Sequence, residues 1–307
     1  MTAMSGLTTV NGGTIPANFT TGAGSAAYAA AFGPGTSVTA VSAGGSYNVS
    51  GSVAVLASSV SVTLSGASAI AFSGTSDTIT AGGTTPYSAF LGTGSVLNEG
   101  SGPSTVYASS GAATVNAGSG STTVDGGSGS LLFTAGSSSN DSVTAGSGST
   151  SITGGSGSSD TYVGGSGSFS VTLTGASTND EVTGGSGNTV VNAASTSGAL
   201  QITTNPLANN GTLTATLGSG ADSVIGGGGS SVITAGSGAD VFGFVLGHAG
   251  GAESILGFNG KDTLAFSSGY GYSLTNAPSE TVGSLGDVIT LSDGTTITLV
   301  GYEAKVF

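Results

Sequence analysis

The chain has 307 residues, 59 of them glycine, with 6% charged residues and a formal net charge of −13. Its two cations, Lys261 and Lys305, cannot make the basic patch that nucleic acid or an anionic membrane surface requires, and no apolar run reaches the roughly 18 residues of a membrane-spanning helix. A mean hydropathy of +0.31 with recurring Val, Ile and Leu is wrong for a disordered polymer, and the lack of cysteine excludes disulfides and thiolate metal sites.

The opening MTAMSGLTTVNGG has neither the basic nor the apolar segment of a Sec signal peptide. Residues 1–45, with Pro16, Pro34 and the Ala-rich stretch Ala26 to Ala31, read as an N-terminal cap or as an arm reaching a neighbour. From Tyr47 to Gly83 short strand signals recur about every ten residues, with Asp77 in a G-x-x-D corner. This stretch predicts a solenoid with degraded corners.

Between Ala112 and Phe244 the repeat is plain: STTVDGGSG, STSITGGSG, SSDTYVGGSG, TNDEVTGGSG, ADSVIGGGG, SSVITAGSG. Each unit of nine or ten residues places a β-branched or aromatic triplet before a Gly/Ser corner. The glycines suit corners that need positive φ or close backbone approach. One unit cannot bury its apolar side chain alone. Two units back to back make a coil of about 18–20 residues, and stacked coils bury a column of Val, Ile, Leu and Phe. The predicted fold is all-β, a parallel β-solenoid or β-roll over residues 46–245, interrupted only by the irregular ALQITTNPLANNG.

Residues 246–307 read as a C-terminal cap. Val288 to Leu291 and Thr296 to Val300 alternate about Ser292-Asp293-Gly294-Thr295, which predicts a β-hairpin with Asp-Gly in its turn, placed to cover the apolar end of the stack.

Acidic residues follow the coil. Asp141, Asp160, Asp180, Asp222 and Asp240 each open a unit just after a Gly corner, at spacings of 19, 20, 42 and 18, while the intervening units carry Thr150, Phe169, Thr189 or Ser231 there. One edge of the stack is therefore expected to bear an aspartate file and the other to be largely neutral. Carboxylates one coil apart repel by roughly 1–3.5 kcal/mol per pair. With so few cationic side chains, a bound cation is the natural counter-charge, and carboxylate and carbonyl ligands favour Ca²⁺.

AGSGADVFG (Ala235 to Gly243) and LGSGADSVI (Leu217 to Ile225) resemble the nonapeptide G-G-x-G-x-D-x-U-x of the RTX, or hemolysin-type, calcium-binding repeat proteins, apart from their first residue. The resemblance implies that Asp222 and Asp240, with carbonyls of the corners Gly218 to Gly220 and Gly236 to Gly238, sandwich Ca²⁺ between coils. GSSSND, GSGSSD and GASTND, which end in Asp141, Asp160 and Asp180, depart from the motif, and their sites either bind weakly or stay empty as hydrated corners. Glu253-Ser254-Ile255…Phe258…Gly260-Lys261-Asp262-Thr263-Leu264 is similar to the D-x-I-x-x-F-x-x-G-x-D-x-L stretch of the C-terminal region in RTX proteins exported by type I systems, and VITLSDGTTITLVG (Val288 to Gly301) is common there. Glu303 to Phe307 loosely resembles the acidic-then-apolar terminus of that family, except for Lys305. The resemblance implies an uncleaved C-terminal signal read by the type I secretion machinery, although a cap without an export role fits the same residues.

Little in the chain offers catalysis. His248 is the one histidine, no Arg exists, and no G-x-S-x-G elbow or phosphate loop is present. The expectation is a non-enzymatic, secreted, Ca²⁺-dependent structural protein of a cell surface, surface layer or biofilm matrix, either associating with itself or binding cell-surface glycans. Thr positions drift from coil to coil in the sequence, which argues against a regular ice-binding ladder.

Overall fold

A computed structural model describes residues 25–31, 37–50, 53–72, 75–137, 140–156, 159–176, 179–204, 211–226, 228–247, 251–273 and 275–307. His248, residues 205–210 of the irregular segment and the first 24 residues lie outside the described residues. The chain divides into two compact units, residues 1–150 and 151–307. Both are parallel β-solenoids, and among the described residues the fold is all-β apart from a helix at Ser25–Ala31 and one turn of 3₁₀-helix.

In the first unit, one parallel sheet runs from Val38–Val41 through Val53–Leu56, Ala69–Phe72, Tyr87–Leu91, Ser104–Ala108 and Thr122–Asp125 to Ser142–Thr144. The other runs from Gly45–Asn48 through Ser61–Ser65, Thr78–Gly82, Ser95–Glu99 and Ala113–Asn116 to Leu131–Thr134. The first described rung, Val38–Val41, thus lies inside the segment read from sequence as a cap or arm, and the Ala-rich stretch of that segment is helical.

In the second unit, Thr161–Val163, Asp180–Thr183, Leu200–Thr203, Ser223–Ile225, Val241–Phe244 and Thr263–Phe266 pair in parallel. Phe169–Gly175, Thr189–Thr196, Leu213–Thr216, Ser231–Thr234 and Ala252–Leu256 form the facing sheet. Coils extend past residue 245, since Ala252–Leu256 and Thr263–Phe266 are ordinary rungs. The hairpin of Gly286–Thr290 and Thr296–Val300 forms as expected, with Gly294 at φ 90° in its turn. It extends the facing sheet by pairing Thr296–Val300 in parallel with Ala252–Leu256, and a third strand, Ser279–Gly283, adds antiparallel beyond it.

Alternation sends every second residue inward. Tyr162, Val182, Ile202, Val224 and Phe242 stack in register, each at most 1% exposed. Each such side chain contributes about 1.5–3 kcal/mol by leaving water. The corner glycines serve close approach. A methyl group on Gly236 would overlap the carbonyl oxygen of Gly218, and one on Gly238 that of Gly220, while none of these four has positive φ.

Candidate functional site

In Asp222-Ser223-Val224 the first and third residues share a strand face, so the carboxylate turns inward beside the valine. Asp222 and Asp240 are 1% exposed, and Asp141, Asp160 and Asp180 are 2% exposed. The aspartates therefore stand inside the stack, those of the three departing corners as well as those of the two matching ones.

Four of these carboxylates tie their coil to the one before. Asp222 Oδ1 accepts the Leu200 N–H at 2.9 Å, Asp240 Oδ1 accepts the Asp222 N–H at 3.0 Å, and Asp180 Oδ1 accepts the Asp160 N–H at 3.0 Å. In the first unit, Thr122 N–H donates to Asp141 Oδ1 at 2.8 Å. The second oxygen takes a corner donor: Gly218 N–H to Asp222 at 3.3 Å, Gly236 N–H to Asp240 at 3.2 Å, Gly136 N–H to Asp141 at 3.3 Å. Asp160 Oδ2 accepts the Tyr162 hydroxyl at 2.8 Å instead. The donor and acceptor are 18 to 22 residues apart along the chain, one coil.

The gap of 42 is two coils, with Leu200 in the rung between Asp180 and Asp222. Asp262 is a further member that sequence reasoning assigned only to the export motif. Its Oδ1 accepts the Asp240 N–H at 3.0 Å and its Oδ2 two bonds of 2.9 Å from Asn259. In the facing sheet Phe169, Thr189, Leu213 and Ser231 occupy the corresponding slot in register, so that side is neutral up to Glu253. Burial, and then the neighbouring Asp240, raise the pKa of Asp222, while burial, and then Asp262, raise that of Asp240.

Three other acidic residues escaped the sequence reading, and a fourth, Glu253, entered it only through the export motif. In the first unit, half-buried Glu99 accepts the hydroxyls of Ser104 at 2.7 Å and Thr122 at 2.5 Å, and burial raises its pKa. In the second unit, Glu253 and Asp287 are 2% and 0% exposed, and none of their carboxylate oxygens has a hydrogen-bond partner. Glu280 accepts the N–H groups of Val306 at 2.5 Å and Phe307 at 3.3 Å, with Lys305 at 3.7 Å.

The donor set suits a hard divalent ion in kind: carboxylates and carbonyls, with no sulfur. The oxygens of Asp222 and Asp240 each already accept a backbone donor and retain a second lone pair. The Gly218 carbonyl accepts the Ser237 N–H at 3.1 Å and keeps its second lone pair, and Gly218 and Gly236 meet their aspartates through N–H. Among the described residues no three acidic or imidazole side chains converge. An ion between Asp222 and Asp240 would thus use the remaining lone pairs with carbonyls of Gly218, Gly220, Gly236 or Gly238. Lys261 Nζ lies 3.5 Å from the Ser237 carbonyl, at the surface.

Outward positions also align. Thr172, Asn192, Thr216 and Thr234 form one row in register, so the drift of Thr along the sequence is absorbed by unequal corner lengths. In the first unit, Asn116 Nδ2–H donates to Asn98 Oδ1 at 2.8 Å in the same manner.

No known protein family matches the chain, and no curated protein is similar to it.

Proposed function

We propose that the chain is a secreted, calcium-stabilised structural solenoid of the RTX type, acting at a cell surface or in an extracellular matrix, with residues 246–307 serving both as the end of the stack and as the region read by a type I exporter. One observation carries this reading: Asp222, Asp240 and Asp262 follow one another in register, buried or half-buried, with both oxygens of each turned to backbone or amide donors and their charge unmatched by any cationic side chain. A divalent cation would offset that charge where it is abundant, outside the cell, and leave the chain loose where it is scarce. Far-UV circular dichroism with chelator and then with Ca²⁺ tests it. A β-spectrum and melting point that rise with Ca²⁺ and lose that response in Asp222→Asn/Asp240→Asn support the reading; identical curves with and without chelator reject it. Fusion of residues 246–307 to a reporter in a host with a type I exporter tests the export role.

A second reading, adhesion to cell-surface glycans, is favoured by the aligned outward row Thr172–Asn192–Thr216–Thr234. Retention on cell-wall polysaccharide that is lost in Thr216→Lys would support it.

A further inference from the structure

Among the described residues of the second unit, Glu253 is the one acidic residue in the inward slot of the facing sheet, where its register partners are Ser231 on one side and Ile297 on the other. It is 2% exposed and both of its oxygens lack a hydrogen-bond partner. They lie against Gly226: a methyl group there would stand 3.4 Å from Oε1 and 3.7 Å from Oε2. The Ser231 hydroxyl is near enough to favour the charged form but does not bond it. No other titratable side chain comes from the packed elements, Ser223–Ile225, Ser231–Thr234 and Thr296–Val300. A carboxylate so placed is satisfied by a proton or by a cation, because an unpaired buried charge is too costly to persist.

We propose that Glu253, seated against Gly226 and Ser231 in the sheet that carries no aspartate file, is a second cation site that releases one proton for each hard cation it takes up. The carboxyl O–H bond breaks, the proton passes to solvent, and the carboxylate ligates the ion with the Ser231 hydroxyl and corner carbonyls. Carboxylate and hydroxyl oxygens with no sulfur or imidazole select Ca²⁺ over softer metals. Burial raises the free acid to about 7, so proton and metal compete across the neutral range. The site is independent of the aspartate ladder.

Calorimetric titration of the full chain with Ca²⁺ near pH 6, in two buffers of different protonation heat, tests it. About one released proton is expected, lost together with about one Ca²⁺ equivalent in Glu253→Gln and kept in Asp222→Asn/Asp240→Asn. Unchanged proton release in Glu253→Gln overturns the proposal, as does loss of all binding in the aspartate pair, which would leave the ladder alone responsible. Should Glu253→Gln not fold, the Ca²⁺-induced rise in melting temperature of the aspartate pair is followed with pH: a gain that grows through about pH 7 supports the site, and a flat profile rejects it.

Discussion

At the scale of single residues, Asp240 joins three backbone segments: its oxygens hold the Asp222 and Gly236 N–H groups and its own N–H donates to Asp262. Asp240→Ala strands two donors, each costing about 1–3 kcal/mol, and urea melts in chelator should show that loss, with roughly half of it in Asp240→Asn. Asp287 behaves oppositely. Burial, and then Glu280 beside it, raise it to about 6, so its contribution is full below the ordinary aspartate value and fades as pH climbs through about 6. Asp287→Asn is therefore expected to melt at or above the parent near pH 8 and no higher near pH 4. The inward turn of the aspartates was legible in the D-x-V spacing, since residues two apart share a strand face. Glu253 and Asp287 were not legible, because each takes a slot that other rungs fill with serine or an apolar residue, and only register reveals it.

At the scale of elements, corners decide how tightly coils close. Gly236→Ala drives a methyl into the Gly218 carbonyl, whereas a methyl on Gly260 meets nothing within 4 Å. Gly236→Ala should thus cost about 3 kcal/mol or more and Gly260→Ala almost nothing, measured side by side by thermal denaturation. Composition announced the glycines but left two reasons for them, positive φ or close approach; at these stacked corners the second applies. One departing corner does use the left-handed region: Asn179, just before Asp180, has φ 64°. The rungs and the Asp293-Gly294 turn were readable from β-branched alternation. Ser279–Gly283 was not, because apart from the enclosed Glu280 side chain its residues are exposed on both faces and alternation leaves no trace.

Across the whole molecule the net charge of −13 meets an interior that raises Asp77, Asp222, Asp240, Glu253 and Asp287, in each case first through burial. Raised carboxyl groups stabilise a fold on the acid side and withdraw that support as they ionise. The chelated protein should accordingly melt lower at about pH 8 than at about pH 5, and saturating Ca²⁺ should narrow the difference; melting curves at the two values decide it. Periodicity and coil length were legible in the sequence because the Val/Ile column has to recur once per coil. The extension of the stack past residue 245 was hidden, since Ala252–Leu256 and Thr263–Phe266 keep the rung but replace the Gly-Ser-Gly corner with Gly257-Phe258-Asn259-Gly260.

The carboxylates of Asp222, Asp240 and Asp262 reach backwards. Asp240 fastens the coil of Asp222, Asp262 fastens that of Asp240, and Asp262 itself is fastened by Asn259, three residues away on its own turn. The stack is therefore a ratchet with a built-in direction: its self-sufficient pawl is the last one, and every earlier tooth waits for its successor. A chain delivered carboxyl end first meets a finished lock at each step, whereas one delivered amino end first leaves every newest coil unlatched until the next arrives.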